Sequence, residues 1–175
     1  MLPLVLKGKL LIATPPLADP HFDRTVVLLL EHTDGGALGV VLNRQSERPA
    51  SEVLPAWEAQ LIGPDLLFEG GPVEVEAVVG LSPASGSVLP IVVDLSVEPS
   101  DQVPPCPLVR LFHGYAGWGP GQLEGELDAG AWLVLDPERD DPFTTDPSGL
   151  WRAVLRRQPG RLAWLAQFPD DVRVN

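Results

Sequence analysis

The sequence predicts one domain of mixed α and β structure, rich in short strands. Short apolar, β-branched runs recur along the chain, the clearest being Thr25–Glu31 and Leu38–Asn43 on either side of Asp34-Gly35. Helical spacing is confined to a few stretches between and after such runs. No linker, repeat or shift in composition divides the 175 residues, a length that suits a single core, so the domain is expected to span 1–175.

The elements follow in order. Lys9–Thr14 reads as a strand stopped by Pro15 and Pro16, which cannot donate to a ladder. Thr25–Glu31 and Leu38–Asn43 form a hairpin, because glycine in Asp34-Gly35 accepts the positive φ that tight turns require. An uninterrupted register sets His32 opposite Ala37, Leu30 opposite Gly39, Leu28 opposite Val41 and Val26 opposite Asn43. Val53, Leu54, Trp57 and Leu61 have helical spacing over Ala50–Leu61, with Ser51 as the N-cap. Short strands are expected at Leu66–Phe68, Ala77–Leu81, Ile91–Val93 and Leu108–Phe112, punctuated by Gly and Pro. Gly119–Gly130 reads as a helix and Trp132–Leu135 as a strand. Asp146-Pro147 then opens a helix with Leu150, Trp151, Val154 and Leu155 on one side.

Composition excludes several function classes. Acidic residues outnumber basic ones 24 to 12, and a net charge of -12 repels nucleic-acid backbones and anionic membranes at long range. Direct nucleic-acid binding is therefore not expected. The four arginines Arg152, Arg156, Arg157 and Arg161 read as a solvated helix face rather than an anion site. The longest uncharged run, Ala77–Val93, is broken by Pro83, Gly86 and Pro90, so no membrane span is expected. The lone Cys106 forms no internal disulfide, which makes the cytoplasm the expected compartment. His21, His32 and His113 lack paired ligand spacing, so neither a metal nor another cofactor is expected.

Several motifs occur in order: Leu11-Ile-Ala-Thr-Pro-Pro-Leu-Ala-Asp-Pro-His-Phe-Asp-Arg-Thr-Val26, Glu31-His32, Gly36-Ala-Leu-Gly39, Asn43, Gly70-Gly-Pro72 and Gly114-Tyr-Ala-Gly-Trp-Gly-Pro-Gly-Gln-Leu-Glu124. Together they resemble the AlgH/YqgE family of bacterial proteins. The resemblance implies a compact α+β fold with a barrel-like, mostly antiparallel sheet and surrounding helices, and it brings no established biochemical activity with it. Members commonly carry proline soon after the asparagine matched by Asn43, whereas here Arg44 is followed by Gln45.

Two constellations are candidate sites. Asp19, Arg24 and Asn43 form a polar cluster in the predicted register, read first as an arginine-carboxylate tie and second as a ligand site. His32 lies eight residues from Arg24, roughly 26 Å along a strand, and cannot share that site. The glycine-rich segment from Gly114 to Gly121 reads first as a tight strand-to-helix turn held by Tyr115 and Trp118. Its second reading is a site for a neutral or cationic ligand beside Tyr115, Trp118, Gln122 and Glu124; the lysine of a phosphate loop is missing, and Glu124 opposes an anion. Cys106 in its proline-flanked stretch reads as a packed residue, and a nucleophilic role with His113 is the lesser reading. The expected function is a binding or regulatory module that contacts a protein or a small ligand. The rival is an enzyme acting on a small polar substrate.

Overall fold

A computed structural model describes residues 5–15 and 22–169. Within these residues eight strands build one sheet: β1 (Leu10–Ala13), β2 (Val26–Thr33), β3 (Gly36–Val41), β4 (Phe68–Glu69), β5 (Val73–Ser82), β6 (Ile91–Val93), β7 (Arg110–Trp118) and β8 (Trp132–Leu135). The order is β6-β5-β7-β3-β2-β1-β8, antiparallel throughout except that β4 joins β7 in parallel. Among the described residues four short helices surround it: α1 (Ala50–Val53), α2 (Gln122–Asp128), α3 (Leu150–Arg156) and α4 (Leu162–Leu165). The expectation of a mostly antiparallel α+β fold is met. The expected closure into a barrel is not seen: among the described residues β6 and β8 end the sheet without pairing to each other, so it stays open.

The near-continuous apolar runs of β1 and β2 follow from burial on both faces. Leu10, Ile12, Val26, Leu28, Val40 and Leu42 pack one face against Leu150, Trp151, Val154 and Leu155 of α3. Leu11, Ala13, Val27, Leu29 and Val41 pack the other against Leu123 of α2 with Trp118 and Trp132. Side chains alternate along a strand, so a strand covered on both sides is apolar at every position. A third cluster gathers Ala50, Trp57, Leu67, Val109, Leu111 and Cys106, whose thiol faces Leu108 O at 3.4 Å.

Three local expectations change. The hairpin tip is as predicted, with His32 paired to Ala37 and Thr33 to Gly36. A β-bulge between Leu29 and Glu31 then shifts the register by one, giving Leu29↔Gly39, Leu28↔Val40 and Val27↔Val41. Leu30 is the extra residue, and a bulge of this kind turns its strand and strengthens the twist. The predicted Ala50–Leu61 helix breaks at Leu54-Pro55 into α1 and a 3₁₀ turn, Pro55–Gln60, because proline removes a helical hydrogen bond. Its N-cap is Pro49, not Ser51, whose amide and hydroxyl both bond Asp65. The segment Gly114–Trp118, read as a turn, is strand: it is the second half of β7 and pairs with β3 through Ala37↔Trp118 and Gly39↔Ala116.

The long β7 organises the sheet. At Phe112 and His113 it is flanked by both β4 and β5, so these two strands occupy opposite edges of it. Residues 70–72 must therefore step across the β7 backbone. They do so at Gly70-Gly71, where Gly70 N donates to His113 O at 2.8 Å and Val41 N donates to Gly70 O at 2.8 Å. A Cβ on Gly71 would stand 2.2 Å from Tyr115 C and O, and one on Gly114 would stand 2.3 Å from Gly71 O. Main chain meets main chain there with no space for a side chain.

The C-terminal arginines are not simply a solvated face. Arg157 grips Asp141 with both nitrogens, at 2.8 and 2.5 Å, and Arg152 donates to the carbonyls of Ala166 and Phe168. Asp141 is only 5% exposed and also accepts Glu138 N at 2.7 Å. Removing the cation strands a buried carboxylate, so Arg157→Ala should lower unfolding free energy by about 3 kcal/mol. Denaturant unfolding of Arg157→Ala, Asp141→Ala and the pair checks this, with strong non-additivity as the expected outcome.

Candidate functional site

The sequence-predicted site residues fall into separate structures. Asp19, with Pro20 and His21, lies outside the described residues. Arg24 and Asn43 do meet, but through the Arg24 main chain: Asn43 Nδ2 donates to Arg24 O at 2.9 Å and Asn43 Oδ1 accepts from Val26 N at 3.0 Å. Asn43 thus closes the end of the hairpin with its amide, two residues beyond the last strand pair, because the bulge has shifted the register. The Arg24 guanidinium turns elsewhere, 4.8 Å over the Trp151 ring, with donation to Phe168 O at 3.3 Å and to Pro169 O. This arrangement ties the hairpin to the C-terminal helices.

The second group divides across the sheet. Tyr115 packs against the core on the α3 side and Trp118 belongs to the α2 side, as three residues of strand require. Gln122 and Trp118 share a partner that sequence reasoning missed, Glu126. Its Oε2 accepts from Trp118 Nε1 at 2.8 Å and Trp132 Nε1 at 2.7 Å, and its Oε1 accepts from Gln122 Nε2 at 3.1 Å. With Phe22 stacked on Trp118 and edge-on to Trp132, the group fastens α2 to the sheet. The signal was present in sequence as the i, i+4 spacing of Gln122 and Glu126.

Glu124 pairs with His32 across 2.7 Å. His32 Nδ1 accepts the Leu6 amide at 3.0 Å, which places the ring proton on Nε2, where it is donated to the carboxylate. That hydrogen bond holds the Glu124 carboxyl below its ordinary range. The imidazole is 5% exposed and joins the N-terminal segment to α2.

A polar cleft forms where three motif-bearing segments meet. Arg44 follows the hairpin, Glu69 ends β4, and His113 is the β7 residue paired with Glu69; with Gly71, Pro72 and Val75 from the crossing they line a cleft of about 330 Å³. His113 Nδ1 faces Val75 O at 3.3 Å, and its buried Nε2 has no hydrogen-bond partner among the described residues. A ring that donates from Nδ1 presents a lone pair at Nε2. Arg44 donates to Asp23 O at 3.2 Å while lining the cleft. The structure does not pair His113 with Cys106, whose thiol is engaged within the third cluster. No helix among the described residues is long and apolar enough to cross a membrane.

An open sheet crossed by its own chain and bearing a polar cleft beside that crossing defines an α+β scaffold of specific topology. The chain belongs to the AlgH-like family, DUF179, whose sequence profile matches residues 10–163. It is 46% identical over 185 residues to the UPF0301 protein SCO2948 of Streptomyces coelicolor, covering 97% of this chain and 95% of that one. It is 42% identical over 191 residues to a UPF0301 protein of Thermobifida fusca, covering 98% and 96%. Among solved structures, the crystal structure of DIP2367 from Corynebacterium diphtheriae superposes with a TM-score of 0.85 at 30% identity, covering 96% of this chain and 95% of that one. The solution structure of AlgH from Pseudomonas aeruginosa gives 0.70 at 30% identity, covering 98% of each.

The Glu124 carboxyl is lowered in the folded state, so its contribution to stability is present above about pH 5 and is lost as pH falls through the lowered value. Glu124 is half exposed, which limits the effect to less than about 1 kcal/mol. Glu124→Gln should therefore melt slightly below the parent at neutral pH. The gap should close in acid, as read by melting curves from pH 7 to pH 3.

Proposed function

We propose that this protein is a binding module for a small polar ligand, seated in the cleft formed by Arg44, Glu69 and His113. The observation that carries the reading is the buried, unpartnered Nε2 of His113 in a residue that lines this cleft. Buried polar atoms are nearly always satisfied, so this orphan nitrogen is an acceptor that a ligand donor reaches once the imidazole turns toward the cleft. Arg44 offers donors and positive charge, and Glu69 offers an acceptor, so the fitting ligand carries both an anionic or carbonyl group and an N–H or O–H group. The lone Cys106 and the absence of any need for a disulfide support a cytoplasmic setting.

An enzymatic reading is favoured by one observation, the cross-strand pairing of a carboxylate and an imidazole, Glu69 and His113, at the same cleft. Such a pair suits proton transfer.

A thermal-shift screen of amino acids, small carboxylic acids and amides tests the binding reading. A ligand at 100 times its Kd stabilises the native state by about 2.7 kcal/mol, a shift of several degrees in a chain of this size. The shift should vanish in His113→Leu and Arg44→Ala. Shifts that persist unchanged in both variants would place the ligand elsewhere and remove the proposal. Turnover of the binding compound, lost in Glu69→Gln, would identify an enzyme.

A further inference from the structure

A second, different hollow is bordered by β2, β3, β5 and β6. Leu29, Leu30, Leu38, Val79, Leu89 and Val92 line an apolar groove of about 500 Å³, with Lys7 and Glu31 at its mouth. The bulge helps to build it, since consecutive residues Leu29 and Leu30 both reach its wall. On the far side β6 is the terminal strand of the sheet, and Leu89 and Val92 remain 42% and 56% exposed instead of closing over the space. The volume falls in the range of small-molecule sites, and the lining is almost entirely aliphatic.

The mouth has a chemistry found nowhere else in the chain. The sequence contains two lysines, Lys7 and Lys9. Lys7 lines the groove, and both lysines line an adjoining hollow of about 320 Å³ that shares Gly8 and Leu89 with it. Each ammonium has one carboxylate partner, Lys7 with Glu31 at 2.8 Å and Lys9 with Asp136. These pairs are exposed and hold their partners weakly, and an ammonium has three donors, so a further carboxylate can be accepted without breaking either. The net charge of -12 repels anions at long range, whereas at this mouth positive and negative charge are equal.

We infer that the groove binds the tail of a straight-chain aliphatic carboxylate, with the Lys7 ammonium at its headgroup. The site is separate from the polar cleft and does not depend on it.

Calorimetric titration with octanoate, decanoate and dodecanoate, each below its micelle concentration, tests the inference. One saturable site is expected, with affinity rising about three- to fourfold per methylene buried until the chain outgrows the groove. Val92→Glu, at an exposed position that folding tolerates, should weaken decanoate binding at least tenfold. Lys7→Glu should weaken decanoate severalfold and leave decan-1-ol unaffected. Affinity independent of chain length, decan-1-ol binding as tightly as decanoate, or no saturable uptake would each overturn the inference. So would a dimer that Val92→Glu dissolves in a protein that takes up no decanoate, since the groove would then be covered by a second copy. Thermal shifts from the polar cleft should persist in Val92→Glu, which keeps the two sites distinguishable.

Discussion

The crossing of residues 70–72 over β7 is the constraint on which the rest of the structure depends. Two partners claim the same residues of β7, β4 on one edge and β5 on the other, and only three residues connect them. The connection can pass only by laying main chain on main chain, and that demands glycine at Gly71 and Gly114, where any Cβ would meet backbone at about the distance of a covalent angle partner. Gly114 also carries φ of 68°, a conformation costly for other residues, which turns β7 from its β4-flanked half to its β3-flanked half.

The cleft follows from this geometry. Glu69 and His113 stand on the approach to the crossing, Pro72 and Val75 on its exit, and Arg44 on the chain leaving the hairpin, whose backbone carbonyl accepts from Glu69 N at 2.7 Å. A surface hollow remains because the stepping chain cannot lie flat on the sheet. The buried guanidinium of Arg110 lies just upstream in β7, stacked 4.4 Å over Phe68 and donating to Thr144 O at 2.7 Å, and its burial lowers its pKa to about 10. That cation fastens β7 to the chain at Pro142 and Thr144, ahead of α3, and stays charged at neutral pH. Thus one strand carries the crossing, one wall of the cleft and a tie to the helical layer.

Features with local causes were legible in the sequence. Asp34-Gly35 fixed the hairpin tip through its own backbone preferences, and Asp146-Pro147 marked the start of the turn leading into α3, where Asp146 Oδ1 accepts Gly149 N at 3.2 Å. Features with distant causes were not. Leu30 is one of five consecutive apolar residues, and in a strand buried on both faces a slip of one position leaves no trace in the pattern. Gly114 and Gly117 suggested a turn because the reason for glycine at Gly114 is a segment more than forty residues earlier. For the candidate site, the motif residues Asn43, Gly70, Gly71, Pro72 and Gly114 were visible as separate pieces, but their convergence, and the roles of Arg44, Glu69 and His113 beside them, needed the strand pairing. Glu124 was singled out for a ligand and proved to be the partner of His32, an interaction spanning 92 positions that spacing alone does not reveal.

The most direct measurement is the stability of Gly71→Ala against Gly125→Ala by denaturant unfolding. An added Cβ at Gly125 in α2 meets nothing within 4 Å, and alanine is the better helix former, so that variant should gain about 0.5 to 1 kcal/mol. At Gly71 the same methyl group would push the crossing chain off β7, with a loss of at least about 3 kcal/mol or of cooperative unfolding altogether. A Gly71→Ala protein within about 0.5 kcal/mol of the parent, a range typical of inconsequential surface changes, would contradict the account.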